Sequence, residues 1–202
     1  MGLGTFFENR KILSRAEDEI TLDADFLWLS IIASVLATMA ILMDDQYILI
    51  GAMLVAPFLD PIISFVGFAI LGKLRDAVLA FVTLMFVYAI SIMSAMITYL
   101  LAELVGFVPE VVVYEPATGG EYFVVAILLG IIGSLMWIWP KTSNTLAGLS
   151  IGISLVPPLA NIGRALALWD VQALNVSAQA FLISLGGVLI GSFLVLYFRP
   201  KD

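Results

Sequence analysis

Along most of the chain apolar residues follow one another with few polar interruptions, in runs too long for a strand or for one face of a surface helix. A bilayer core is ~30 Å thick, so a spanning helix needs about 20 mostly apolar residues. Six runs meet that requirement: 25–43, 47–71, 76–102, 122–139, 146–169 and 176–198. The pattern predicts an all-α integral membrane protein with six transmembrane helices. The start of the chain differs, mixing Arg10, Lys11, Arg15, Glu17, Asp18 and Glu19 with Phe6, Phe7, Ile12 and Leu13. No continuous apolar run follows Met1, so this is not the pattern of a signal peptide. Ser14 and Glu17 have capping-box spacing, S-x-x-E, and predict a short surface helix. The chain then divides into an N-terminal segment (1–24), three spans (25–104), an acidic loop (105–121), three more spans (122–198) and a short tail (199–202).

Composition agrees and prunes the chemistry. The 202 residues are 62% hydrophobic and 12% charged, with a mean hydropathy of +1.10. Soluble domains run near half apolar and a quarter charged. With no Cys and no His, disulfides, thiolate catalysis, zinc ribbons, histidine-ligated metals and Ser-His-Asp triads are excluded. The net charge of −7 argues against a nucleic-acid partner, which needs a basic face. Cofactor-binding glycine fingerprints are also missing, so no cofactor is expected.

Charge placement predicts orientation. With a cytoplasmic N-terminus, the inner segments hold Arg10, Lys11, Arg15, Lys73, Arg75, Lys141, Arg199 and Lys201, eight of the nine basic residues. The outer loops 44–46, 103–121 and 170–175 hold none, and Arg164 falls inside a span. Both termini are therefore predicted to be cytoplasmic, with the lipid bilayer as partner. Trp28, Trp137, Trp139 and Trp169 all lie at predicted span ends, where amphipathic rings prefer the interface.

The chain also matches itself. At an offset of 101, Ile50, Gly51, Leu54, Val55 and Pro57 pair with Ile151, Gly152, Leu155, Val156 and Pro158, and Asp60 pairs with Asn161. Each half then contains three spans. An odd repeat unit inserts with opposite orientation in its second copy, so the expectation is a 3+3 inverted-topology repeat, the arrangement of many transporters.

Within that repeat the second and fifth spans carry the informative residues. Pro57 and Pro61 lie in one, Pro157 and Pro158 in the other, and both spans are expected to be interrupted near the midplane. Freed carbonyls in hydrocarbon need protein, water or an ion. Asp60 sits in the first interruption, and three readings stand for it: a helix N-cap ahead of Pro61, a cation or proton site, or a salt bridge to Arg164. Arg164 itself has two readings, snorkelling to the outer headgroups or lining a pathway and binding an anion. Ser64, Ser150 and Ser154 are weaker lining candidates, since membrane serines commonly bond local carbonyls. Gly51 and Gly152 are expected to let the interrupted backbones approach. Gly148-x-x-x-Gly152, Ala126-x-x-x-Gly130 and Gly187-x-x-x-Gly191 permit close helix packing, within the chain or in a homo-oligomer. The loop acids Glu103, Glu110, Glu115 and Glu121 read first as a solvated connector, and they would concentrate cations at the outer mouth and repel anions.

These residues bear a resemblance. The segment Ile50-Gly51-Ala52-Met53-Leu54-Val55-Ala56-Pro57 through Pro61-Ile62 resembles the signature of the hydrophobic membrane family called domain of unknown function 389. The stretch from Ala147 to Arg164, with Leu155-Val156-Pro157-Pro158-Leu159-Ala160, is similar to that family's second block, and the likeness covers about residues 25–198. The resemblance implies a prokaryotic membrane protein and brings no established substrate. The repeat and the prolines favour a channel or secondary transporter for a small ion or solute. The alternative is a non-transporting scaffold or accessory subunit. An intramembrane enzyme is not expected: an aspartyl protease needs two opposed carboxylates, and only Asp60 lies deep in a span.

Overall fold

The computed structural model describes residues 24–107, 119–138 and 144–198, with only the backbone from 144 to 154. The expected N-terminal helix at Ser14 and Glu17, the loop acids Glu110 and Glu115, Trp139, Lys141, the tail, and the side chains of Gly148, Ser150, Gly152 and Ser154 lie outside that description. Among the described residues there are seven helices, in order α1 (Ala24–Met43), α2 (Gln46–Val55), α3 (Leu59–Ile70), α4 (Leu74–Leu104), α5 (Gly120–Ile138), α6 (Asn144–Ala167) and α7 (Val171–Phe198). Helices α1, α4, α5 and α7 are long and apolar enough to cross a membrane, and α2 with α3, bent by 47°, would make a fifth crossing. At about 1.5 Å per residue, the 20 residues of α1 match a bilayer core and the 31 of α4 exceed it. The chain is a multi-pass membrane protein, and the predicted span ends fall within a few residues of the helix ends.

The packing follows from small residues. In α1, Ser30, Ser34 and Thr38 recur every four residues and face inward with Ala33 and Ala37. Their hydroxyls donate to the carbonyls of Phe26, Ser30 and Ser34 at 2.8, 2.9 and 2.8 Å, so this polar stripe is satisfied locally and packs like alanine. Trp28, Leu29 and Ile32 point outward from the same helix. Helix α4 lies alongside in parallel, with Ser94 Oγ 3.4 Å from the Ile31 carbonyl. Helices α5 and α7 form a second parallel pair of the same kind. A Cβ added at Gly191 would collide with the Ile127 carbonyl, one at Gly130 with the backbone of Val188, and one at Gly187 with Ala126. The Ala126–Gly130 and Gly187–Gly191 stripes therefore meet each other inside one chain.

The corners are alike too. After α1, α3, α4 and α6, the residues Asp44, Gly72, Gly106 and Trp169 take positive φ, between 50° and 73°. At each, the following N–H reaches back to close the helix: Asp45 to the Ala40 carbonyl, Lys73 to Phe68, Phe107 to Ala102 and Asp170 to Ala165. Asp45 then caps α2 by accepting from the N–H groups of Tyr47 and Ile48. Asp170 caps α7 by accepting from Ala173. These turns place Asp44, Asp45, Glu103, Glu121 and Asp170 at one end of the bundle, and Lys73, Arg75 and Asp76 at the other.

Helix α6 runs through the centre and touches every other described helix. From Leu155 to Ala165 every residue is buried, as expected of a helix that is covered on all sides. This corrects one expectation. The fifth span is not interrupted at Pro157 and Pro158: α6 continues through both. Proline removes an N–H and crowds the preceding turn, but whether the chain bends also depends on its neighbours. Here the helix continues through both prolines, buried among the other helices from Leu155 to Ala165.

Candidate functional site

The second apolar run does divide into two helices, α2 and α3, bent by 47°. Pro57 has no N–H to offer the Met53 carbonyl, and the residue before it is driven out of the helical region. Ala56 is accordingly extended, at φ −66° and ψ 121°, and ends α2 with its own N–H on the Ala52 carbonyl. Three residues later α3 starts in a new direction. Ten residues of α2 on one side and twelve of α3 on the other put this bend about half-way through the bundle. Ala56, Phe58 and Leu59 are almost fully buried there, so the loosened backbone faces protein.

Asp60 is half-buried beside the bend. It is not the N-cap of α3. The cap position is Phe58, and Asp60 lies in the first turn with Pro61 next to it. The helix begins earlier than Asp-Pro suggested because the first N–H groups of a helix need no intrahelical acceptor, so Pro61 fits inside the first turn. A carboxylate there still meets the positive end of the helix dipole. Asp60 has interaction partners of its own in the fold.

Around the bend, Phe58 packs edge-on against Tyr88 of α4 with ring centroids 5.4 Å apart, and Tyr88 packs edge-on against Phe181 of α7 at 5.0 Å. This aromatic column ties α4 and α7 to the bend. The Tyr88 hydroxyl is buried with no hydrogen-bond partner, as are the hydroxyls of Ser64 in α3 and Ser91, one turn from Tyr88 in α4. Ser64 is thus a lining candidate that does not bond its local carbonyl. Tyr88 was not singled out from the sequence, although a tyrosine deep in a span, far from the interface where its ring is at home, is the signal that could have found it.

In α6, Pro157 and Pro158 free the carbonyls of Ile153 and Ser154 in the same way that Pro57 frees that of Met53. Asn161 is 1% exposed, and its Nδ2 donates to Ser177 Oγ of α7 at 2.5 Å. Arg164 Nε donates to Asn161 Oδ1 at 2.6 Å. Arg164 is only 8% exposed, so it does not snorkel outward; its side chain is turned into the bundle against Asn161. Among the described residues no carboxylate lies within ion-pair distance of it, and the expected bridge to Asp60 does not form. Among the described residues, a Cβ at Gly51 would meet nothing within 4 Å, and its expected partner Gly152 lies outside the described side chains. Gly163 does mediate a close approach, lying hard against Ile92, Ala95 and Met96 of α4.

The structure thus brings Pro57, Asp60, Pro61 and Ser64 together at the bend, and Asn161 and Arg164 together on α6 nearer the acidic end. No curated protein and no solved structure matches the chain. A family model does, over residues 53–190, a stretch that holds the bend, the aromatic column and the Asn161–Arg164 pair. The chain therefore belongs to the family described as domain of unknown function (DUF389).

Proposed function

We propose that this protein is a membrane channel or secondary transporter for a small ion or solute, with its pathway at the bend between α2 and α3. One observation carries the reading: a span divided at mid-depth by Pro57, with Asp60 in the first turn beyond the break. Divided spans in transporters expose carbonyls and helix ends to a substrate or ion. An ionisable residue so far from either end of the bundle is costly in a bilayer and marks a pathway by default.

The repeat supports it. In this reading α6 is the sixth crossing, and α1 to α4 and α5 to α7 are two inverted copies. The contact of Ser94 with the Ile31 carbonyl in the first half corresponds to that of Gly191 with the Ile127 carbonyl in the second. The corner at Gly72 corresponds to that at Trp169. These pairs are 96 or 97 residues apart, whereas the proline motifs are 101 apart. The second copy is therefore about one helical turn shorter between its prolines and its corner. By the positive-inside rule the end bearing Lys73 and Arg75 is cytoplasmic, as are both termini, in a prokaryotic plasma membrane. The protein is not an enzyme on this reading.

The test is flux of protons, monovalent cations and small anions into liposomes carrying the purified protein. Wild type is compared with Asp60→Asn and Pro57→Ala. Flux that falls in both variants is the expected result. Silence of folded wild-type protein across a broad ion and solute panel would overturn the reading in favour of a scaffold.

A further inference from the structure

Arg164 is the charged group that the bend does not use. It lies in the last turn of α6, where the negative end of the helix dipole favours a cation. That dipole amounts to about half a charge and supplies no hydrogen-bond acceptor in the plane of the guanidinium. The side chain is more than nine-tenths buried, and a buried cation without a counter-ion costs several kcal/mol. Asp170 is close enough to act on it electrostatically, but it is exposed and holds the N-terminus of α7 through the Ala173 N–H. Tyr99 of α4, itself buried, is also close enough to act on the guanidinium electrostatically.

The guanidinium is also held in place. Asn161 accepts from its Nε and is itself anchored to Ser177 on α7. One residue away, Gly163 brings α6 against the backbone of α4, with the position of an added Cβ only 2.6 Å from the Ile92 carbonyl. The guanidinium is thus held at Nε by a side chain anchored to α7, on a helix packed hard against α4. The Nη1 and Nη2 groups, which form the fork that pairs with planar oxyanions, have no acceptor among the described residues.

We propose that Arg164 binds a small oxyanion of the carboxylate or phosphate type through its Nη fork, with Asn161 and Ser177 as positioning residues. The carboxylates Asp44, Asp45, Glu103, Glu121 and Asp170 share this end of the bundle and repel anions, a multiply charged one more than a singly charged one. That the anion is cargo rests on the transport reading above; that it binds does not.

Binding is measured first, by thermal shift of the detergent-purified full chain titrated with acetate, bicarbonate, inorganic phosphate and, as the non-oxyanion control, chloride. Wild type is expected to show saturable stabilisation by the oxyanions and not by chloride. Arg164→Lys, which keeps the charge and loses the fork, should weaken it roughly tenfold or more. Asn161→Ala should weaken it less, because the charge stays and only its aim is lost. Where the oxyanion is a lipid headgroup, phosphatidylglycerol copurifies with wild type and is lost in Arg164→Lys, while the free anions give no shift. Equal oxyanion shifts and equal bound lipid in wild type and Arg164→Lys would overturn the proposal. Liposome flux separates the two readings. Binding with no flux of any solute sinks the transport reading alone, and flux with no oxyanion dependence and no Arg164-dependent binding sinks this one alone.

Discussion

Gly163→Ala tests the packing that holds α6 in the centre. An alanine Cβ at this position would sit 2.6 Å from the Ala95 Cβ, 2.6 Å from the Ile92 carbonyl oxygen and 2.8 Å from the Met96 nitrogen. Ordinary contact begins at 3.4 Å, so the shortfall is about 0.8 Å. None of the three atoms can swing aside, since two are backbone and the third is a Cβ. The helices α4 and α6 must therefore separate by most of that distance. A gap of this size forfeits roughly a quarter to a half of the ~0.1–0.2 kcal/mol of each facing atom pair. Over some tens of pairs the loss comes to about 1–3 kcal/mol, the usual range for overpacking. Gly51→Ala is the matched control. Its Cβ meets nothing among the described residues, and relief of glycine's backbone entropy in the interior of α2 should add about 0.5–1 kcal/mol. Both can be measured by unfolding in mixed micelles of dodecylmaltoside and dodecyl sulfate, followed by the fluorescence of Trp137, which is 3% exposed. A Gly163→Ala protein as stable as wild type, or a Gly51→Ala protein destabilised as much, would refute the argument.

Two further substitutions read single groups. Tyr88→Phe deletes a buried hydroxyl with no partner and keeps the edge contacts to Phe58 and Phe181, so it should stabilise by about 1 kcal/mol or more in the same unfolding assay. A loss of similar size would mean that the hydroxyl is bonded in the membrane. Trp169 holds φ at 56° while 90% exposed, so Trp169→Gly should stabilise by about 1–2 kcal/mol and Trp169→Ala should not; equal effects would assign the change to the lost ring and not to the backbone.

The helix ends were legible because the bilayer imposes them. A span must be apolar over its whole length, and both the sequence runs and the helices obey that rule. The corners were legible at Gly72 and Gly106, where glycine marks a positive φ, and hidden at Asp44 and Trp169, where it does not. The glycine stripes of α5 and α7 announced close packing, but only the fold shows that each is the other's partner. Gly51 and Gly163 looked equivalent as letters. What distinguishes them is the neighbour each one faces, which no local pattern encodes. Arg164 was readable as three residues from Asn161, a spacing that puts both on one face of a helix. Which way the pair turned was not, since lipid and bundle lie on opposite faces of any outer helix and only the central place of α6 removes the first choice.

The prolines show how one chemical fact gives two structures. Pro57 and the pair Pro157 and Pro158 each free carbonyls of the preceding turn. At Pro57 the chain divides into two short helices bent by 47°, whereas α6 is a single helix through its prolines. The difference lies in the surroundings. Helix α6 is buried all round from Leu155 to Ala165 and clamped to α4 at Gly163, so a bend there would open contacts on several helices at once. The proposed two halves are thus unequal in the part that matters for movement. Any relative motion of α2 and α3 has residues 56–58 in which to change backbone angles without breaking helical hydrogen bonds, and α6 has no such place between Leu155 and Ala165. That hinge is not loose: Phe58 is 1% exposed and docked on Tyr88, which is docked in turn on Phe181. Swinging α3 at this point either breaks the aromatic column or carries α4 and α7 along. On the transport reading, α3 therefore stays with α4 and α7, which are themselves fixed to α6 at Gly163 and through Asn161, and the body left to move at the bend is α2.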